Sequence, residues 1–216
     1  MIQAVIFDMD GLLIDSEPLW KEAETEVFAQ IGVPVTIEMT DQTKGLRTDE
    51  VVRYWYDRYP WQRPSQSKIA ALIDHKGLEI IKQRGVAMEG VEHAIRVCES
   101  ANLPMAIASS SSMAVINAVI EKLGIRAKIT AVHSAHNEEL GKPHPDVYIS
   151  TAKTLGVDPE YCLAFEDSEN GIKSAKAARM KCIAIPEPGK IDDRKFSIAD
   201  IVIASLNDFN SEMLKI

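Results

Sequence analysis

The sequence predicts an α/β fold: a Rossmann-like parallel sheet with helices on both faces, plus a small all-helical cap inserted after the first strand. Two patterns lead to this prediction. Short apolar runs rich in Val and Ile alternate along the chain with segments whose apolar residues recur at helical spacing. The alternation is interrupted once, after the first apolar run, by about 70 residues in which only helices are predicted.

The first strand lies in QAVIFDMD, a short apolar run that ends in turn residues. From Ser16 the period becomes helical, and Ser16 is a suitable N-cap for a helix that Gly32 ends. The apolar residues of that helix are Leu19, Ala23, Val27 and Ile31. Further helices are predicted at 48–58, 65–84 and 90–101.

In the second half of the chain, strands and helices alternate. The predicted strands are 103–110, 128–134, 162–167, 181–186 and 199–205. The predicted helices are 113–124, 144–156 and about 169–179. We therefore expect a core domain formed by residues 1–14 and 84–216 and a helical cap domain formed by residues 15–83.

Composition narrows the classes of function. The 216 residues carry a net charge of −8, so nucleic acid and anionic membranes are not expected partners. No apolar run approaches the length of a membrane span, and the first residues lead directly into a strand, so we expect no signal peptide. The three cysteines, each flanked by apolar residues, are expected to be buried and reduced, as in a cytoplasmic protein. We expect a monomer.

Polar residues follow several of the predicted strands. In parallel sheets, ligands bind beyond the carboxyl ends of the strands, and those ends share one edge. The residues expected at this edge are Asp8, Asp10, Ser109 to Ser112, Lys142, Glu166 and Asp167. Because polar residues follow several strands at the same edge, the sequence predicts a functional site at that edge.

Carboxylates gathered at one edge would raise each other's pKa unless a cation lay among them. Oxygen ligands without a nearby thiol favour Mg²⁺, with Mn²⁺ or Co²⁺ as substitutes, and Mg²⁺ in proteins usually joins a phosphate. A phosphorylated substrate is therefore implied. Lys142 supplies a point charge for the phosphoryl oxygens, while Ser109 offers a hydroxyl and Ser110 a backbone N–H.

Asp8 and Asp10 suit two complementary roles. One aspartate can attack phosphorus and form an aspartyl-phosphate, while a second moves the proton of the leaving oxygen and of the water. In an extended strand, residues i and i+2 face the same side, so both carboxyls would point towards one substrate.

The motifs FDMDG, IASSS, GKPHPDVY and FEDSENG resemble, in order, the four motifs of the haloacid dehalogenase superfamily of phosphotransferases. The resemblance implies that Asp8 is the nucleophile and Asp10 the general acid/base, and that Ser109 and Lys142 bind the phosphoryl group.

The same resemblance implies a Mg²⁺ site. Asp167 would be a ligand together with Asp8 and the backbone carbonyl of Asp10, and Glu166 would assist through water.

The helical insert resembles the cap of the beta-phosphoglucomutase-like branch. Within that branch, IDSEPLW, TKGLR and RYWYDRYPWQRPS are most similar to the 2-deoxyglucose-6-phosphate phosphatases, also described as hexitol phosphatases. This implies a phosphatase acting on small sugar or sugar-alcohol phosphates. The alternative is a sugar phosphomutase, but this chain has Ile14 and Trp20 where the mutase pattern has Thr and His.

Several residues have two interpretations. Lys44 and Arg47 are predicted to reach a substrate beneath the cap, although they could equally begin a solvated helix. Asp15, Glu17 and Trp20 fit a role at the hinge and pocket as well as a structural one. For Ser111 and Ser112 a turn and helix N-cap is favoured, and for Trp55, Tyr59 and Trp61 packing inside the cap is favoured over base stacking.

Other classes of protein fit less well. A phospho-accepting signalling domain also uses clustered aspartates, a hydroxyl and a lysine, but its accepting aspartate usually ends a central strand of a shorter chain. A catalytically inactive binding protein is disfavoured because every catalytic role has a competent residue. A zinc site is disfavoured too, because the histidines lack partner thiols; they are His133, His136 and His144.

Overall fold

The computed structural model describes residues 1–191 and 193–216. Its centre is a six-stranded sheet in which every neighbouring pair is parallel, with strand order β3-β2-β1-β4-β5-β6. The strands are β1 (Ala4–Phe7), β2 (Met105–Ser109), β3 (Ala131–Ser134), β4 (Cys162–Glu166), β5 (Lys181–Ala184) and β6 (Ile201–Val202). The predicted fold class is confirmed.

Eight α-helices accompany the sheet in the described part of the chain. They are α1 (Glu17–Gln30), α2 (Ile37–Thr40), α3 (Thr48–Arg58), α4 (Gln66–Arg84), α5 (Val91–Ser100), α6 (Met113–Leu123), α7 (Asp146–Leu155) and α8 (Glu169–Ala177). Seven of them match predicted helices within a few residues. The four-residue α2 was not predicted, because one turn is too short to show a period.

The sheet is buried on both faces because side chains alternate along each strand. In β1, Val5 and Phe7 face one apolar core, which α5 and α6 cover, and the ring of Phe7 stacks on that of Phe165 at 5.0 Å. Ala4 and Ile6 face the other core, which α7 and α8 cover. β1 therefore lies at the centre of the molecule, and its carboxyl end opens where the strand order reverses.

A third apolar cluster lies between α1, α3 and α4, apart from the two sheet cores. Phe28, Trp55 and Ile73 are fully buried in it, and Trp55 stacks on Tyr59 with ring centroids 6.3 Å apart. The aromatic residues thus pack inside the insert, as predicted. Because the insert has its own core, we propose that residues 15–83 form a cap domain over a core domain of residues 1–14 and 84–216.

Cys98, Cys162 and Cys182 are all buried and free, as predicted. Among the described residues, the helices are all too short or too polar to cross a bilayer.

Candidate active site

The candidate site lies at the carboxyl end of β1, beneath the insert. The strand ends at Phe7, so Asp8 is the first residue beyond it, and its backbone N–H donates to the carbonyl of Phe165 at 2.9 Å. Asp8 and Asp10 line one cavity, although the loop that carries them is no longer an extended strand. The strand-alternation argument therefore did not apply to this pair, even though both reach the same space.

Lys142 lies at the floor of the site, with its side chain fully buried. Its Nζ lies 2.7 Å from Oδ1 of Asp8 and 2.6 Å from Oε1 of Glu166, and it also donates to the carbonyl of Ala108 at 3.0 Å. Burial disfavours the charged amine, but Asp8 and Glu166 outweigh it and raise the pKa of Lys142. The lysine is therefore a fixed positive charge beside Asp8.

Asp8, Glu166 and Asp167 form the one cluster of carboxylates with metal-ligand spacing that is found among the described residues. One oxygen from each lies within 4.8 Å of the others, and all three residues are buried. Burial and the charge of Glu166 raise the pKa of Asp8 to about 7, against the effect of Lys142. Burial raises the pKa of Asp167 to about 6 although Lys44 opposes it. Such a cluster fits a hard divalent cation.

Two glycines allow these carboxylates to lie where they do. At Gly11, whose φ is +74°, a Cβ would lie 2.3 Å from Oδ2 of Asp167. At Gly171, in α8, a Cβ would overlap the Glu166 carboxylate. Glu166 is further fixed by Tyr148, whose hydroxyl donates to its Oε1 at 2.5 Å.

The side chain of Asp10 lies apart from the carboxylate cluster and accepts from four donors, two near the start of α1 and two near the end of β2. Oδ1 accepts from the hydroxyl of Ser16 at 2.6 Å and from the indole Nε1 of Trp20 at 2.7 Å. Oδ2 accepts from the hydroxyl of Ser111 at 2.7 Å and, at 3.4 Å, from that of Ser109. Because both carboxylate oxygens of Asp10 accept from protein donors, we propose, in line with the prediction, that Asp10 would offer a cation its backbone carbonyl.

The geometry bears on three of the serines named in the sequence analysis. Ser16 lies at the N-cap position of α1, as predicted, and its carbonyl accepts from the N–H of Trp20 at 2.9 Å. Its side chain makes no capping bond, because the hydroxyl donates to Asp10 instead. Ser111 was expected at this edge of the sheet, but a turn and N-cap role was favoured for it; its hydroxyl donates to Asp10, so it belongs to the site. Ser110 lines the cavity, and its hydroxyl donates to the carbonyl of Gly45 in the insert at 2.7 Å. The signal for Ser111 was present in the four-serine run, but the run alone does not tell which hydroxyl faces inwards.

The two insert residues predicted to reach a substrate, Lys44 and Arg47, lie in different places. Lys44 enters the site, with Nζ 2.6 Å from Oδ2 of Asp167 and 2.8 Å from Oε1 of Glu187. Arg47 is buried but is not among the residues lining this cavity; its guanidinium donates to the carbonyls of Ala135 and Glu138 at 3.0 and 2.9 Å. The structure therefore brings Lys44 to the carboxylates and places Arg47 against the loop after β3.

Of the three residues at the junction between core and insert, Glu17 and Trp20 line the cavity, whereas Asp15 is exposed. Burial raises the pKa of Glu17 to about 8, opposed by Lys44 and reinforced by Asp167. Glu17 is thus a further acidic group at the site.

Two of the histidines considered for a zinc site make contacts elsewhere. His133 contacts the Thr154 hydroxyl at 2.9 Å, and His144 lies 3.1 Å from Asp146. Neither belongs to the carboxylate cluster.

Comparison with known proteins agrees with this geometry. The family model of haloacid dehalogenase-like hydrolases matches residues 5–185. The chain belongs to this family. Hexitol phosphatase B of Escherichia coli K12 is 40% identical over 215 residues, which cover 99% of this chain and 96% of that relative.

Two solved structures share the whole fold of this haloacid dehalogenase-like hydrolase. CbbY from Rhodobacter sphaeroides in complex with phosphate is 25% identical with a TM-score of 0.86, and each chain is fully covered. A beta-phosphoglucomutase from Clostridium difficile has a TM-score of 0.87 and 23% identity, covering 100% of this chain and 96% of that one. The second likeness is evidence of fold alone.

Proposed function

We propose that this hydrolase is a Mg²⁺-dependent phosphatase that releases phosphate from small sugar phosphates, such as hexose or hexitol phosphates including 2-deoxyglucose 6-phosphate. One observation carries the proposal: Asp8 is ion-paired to the buried Lys142 in the same cavity that holds Asp10. That pairing gives a phosphoryl group a nucleophile and a fixed positive charge together, with a second carboxyl nearby. The phosphatase name of the relative at 40% identity supports the same reaction.

In the first step, a carboxylate oxygen of Asp8 attacks phosphorus and the bond to the sugar oxygen breaks. Lys142 attracts the phosphoryl oxygens and keeps Asp8 oriented, and Asp10 gives its proton to the departing sugar oxygen. In the second step, Asp10 removes a proton from water, which attacks the aspartyl-phosphate. Inorganic phosphate leaves and the Asp8 carboxylate is restored.

Asp8, Asp167 and Glu166 are the side chains that would hold the cation, with the backbone carbonyl of Asp10 and with Glu166 acting through water. Bound Mg²⁺, or Mn²⁺ or Co²⁺ in its place, supplies positive charge that neutralises these carboxylates and the phosphoryl oxygens. Ser109, Ser110 and Lys44 remain proposed substrate contacts. For Arg47 we propose a different role: it holds the insert against the core domain, because its guanidinium donates to backbone carbonyls of the loop after β3.

The test is a screen for phosphate release from hexose 6-phosphates, 2-deoxyglucose 6-phosphate and hexitol phosphates, with Mg²⁺ and with a chelator. We expect release that requires the metal and that Asp8→Asn abolishes, while Asp57→Asn, an exposed site on α3, keeps it. Full activity of Asp8→Asn would overturn the mechanism. Transfer between positions of a hexose, dependent on a sugar bisphosphate and without net release, would instead identify the mutase.

A further inference from the structure

Glu24 is a half-buried acid in the site cavity that the mechanism above does not use. It lies on α1 and lines the same cavity as Asp8 and Asp10. Its Oε2 is inaccessible to solvent and has no hydrogen-bond partner among the described residues. A buried carboxyl oxygen without a hydrogen-bond partner costs free energy of folding. Its presence in a ligand cavity therefore indicates that a bound ligand supplies the missing hydrogen bond.

The helix places Glu24 at the far end of the cavity. Residues three, four and seven apart share a helix face, so Glu17, Trp20 and Glu24 all face the site. Trp20 donates to Asp10, the group that would protonate the leaving oxygen. Glu24 lies four residues further along α1, about 6 Å along the helix axis. A leaving group must therefore extend past Asp10 by several atoms before it meets Glu24.

The surroundings of Glu24 suit hydroxyl groups. Thr40 and Thr43 line the cavity, and each gives its hydroxyl proton to a backbone carbonyl, at 2.6 and 3.1 Å, which leaves lone pairs to accept from a ligand. The cavity lining also includes the apolar side chains Leu46 and Val51.

The positive charge nearest Glu24 on its own helix is already paired. Nζ of Lys21 lies 2.5 Å from Oδ1 of Asp41, the residue that follows α2. Burial raises the pKa of Glu24 to about 8, against the effect of Lys21, so the carboxyl can donate as well as accept near neutral pH. Among the described residues that line the cavity, each lysine is paired with a carboxylate, so an anionic group at this end would lie beside the Glu24 carboxyl without an unpaired lysine to offset its charge.

We propose that Glu24 selects a leaving group that carries hydroxyls at its far end and disfavours one that carries a second phosphate or a carboxylate there. The substrate class is then an uncharged polyol or sugar monophosphate of extended length. This inference rests on the proposed phosphatase function. It adds the residue that recognises the part of the substrate farthest from the phosphate.

The experiment measures kcat/KM for three substrates: glycerol 3-phosphate, a hexitol monophosphate and a hexitol bisphosphate. Glu24→Leu removes hydrogen bonding and keeps bulk, and Glu24→Gln removes only the acid. The matched control is Glu26→Leu on the same helix, where Glu26 is exposed and pairs with Lys76 at 2.6 Å.

We expect Glu24→Leu to lower the ratio of kcat/KM for hexitol phosphate to that for glycerol phosphate on the order of 10-fold or more, because polar partners are lost at one end only. Glu24→Gln should restore most of that ratio near neutral pH and, at pH 9, where the Glu24 carboxyl is ionised, raise the relative rate on the bisphosphate. Glu26→Leu should keep the ratio of the unaltered protein.

Two results would overturn the inference alone. The first is equal losses on the short and long substrates in Glu24→Leu. The second is a Glu24→Gln variant that, at pH 9, shows no gain on the bisphosphate relative to the unaltered chain. If Glu24→Leu does not fold, the kinetics of Glu24→Gln alone test the inference. A wild-type chain that releases phosphate from none of the three substrates, nor from the wider screen, would overturn the proposed function and this inference with it.

Discussion

The indole Nε1 of Trp20 donates a 2.7 Å hydrogen bond to Oδ1 of Asp10. Trp20 belongs to the first helix of the insert, whereas Asp10 belongs to the loop after the central strand. The proposed general acid is therefore positioned by the insert as well as by the core. Ser16, just before the same helix, donates to the same oxygen, so two donors fix the position of Oδ1.

Trp20→Phe is predicted to lower kcat about 10-fold. The change removes a hydrogen bond to a carboxylate and keeps an aromatic ring against Gly77, where the indole now packs. Steady-state kinetics of phosphate release measure this, and KM should change less than kcat because the contact acts on the acid.

The matched control is Trp61→Phe. Trp61 also donates its indole N–H, to the carbonyl of Pro64 at 2.8 Å, but does so outside the site. Equal kinetics in the two variants would show that the contact with Asp10 has no catalytic role.

Lys142→Met is predicted to abolish phosphate release and to destabilise the fold by about 3–5 kcal/mol, because it leaves the carboxylates of Asp8 and Glu166 buried without their cation. Urea unfolding measures the second effect. Lys173→Met is the control: Lys173 pairs with Glu169 on the exposed side of α8, and such pairs contribute about 0.5 kcal/mol. Similar stability losses in both variants would contradict the assigned importance of the buried pairs.

The closeness of Asp8 and Glu166 could be predicted from the sequence because both lie at the carboxyl ends of predicted parallel strands, which the structure shows to be neighbours. Lys142 comes from the loop between β3 and α7, and only its motif indicated that it belongs to the site. Parallel strands place their carboxyl ends at one edge, so polar residues that follow neighbouring strands lie close together. The apolar runs locate the strand ends to within a few residues, and that precision is sufficient.

The partners of Asp10 could not be predicted in the same way. Ser16 has the sequence context of an N-cap, yet its hydroxyl is directed to Asp10, and Ser111 differs from its neighbours only in orientation. Arg47 was expected at the substrate, but it is anchored to carbonyls of the loop after β3. Each of these depends on how the insert folds back over the sheet, which local periodicity does not encode.

Metal binding gives a further prediction. Mg²⁺ should raise the thermal midpoint of the unaltered protein, since a ligand bound only by the folded state at about 100 times its Kd stabilises by about 2.7 kcal/mol. Asp167→Asn should remove most of this shift because Asp167 is one of the three clustered carboxylates. Thermal unfolding with Mg²⁺ and with a chelator measures it.

Asp57→Asn on the exposed side of α3 should keep the full shift. A shift of unchanged size in Asp167→Asn would place the cation elsewhere.

Glu24 makes stability depend on pH in an unusual direction. Burial raises its pKa from 4.5 to about 8, so between these values the folded state keeps a proton that the unfolded state has lost. Stability from this group is fully present below about pH 4.5 and falls as the pH rises towards about 8.

Glu24→Gln should remove this dependence, because glutamine does not ionise. Its stability relative to the unaltered chain should grow with pH across that window, by at most about 1.4 kcal/mol per pH unit. Urea unfolding at several pH values, with a chelator present so that metal binding does not contribute, measures the difference. Glu26→Gln removes an exposed carboxylate of the same helix and should follow the unaltered chain. Curves for Glu24→Gln that stay parallel to those of the unaltered chain would mean that Glu24 ionises as an ordinary surface acid.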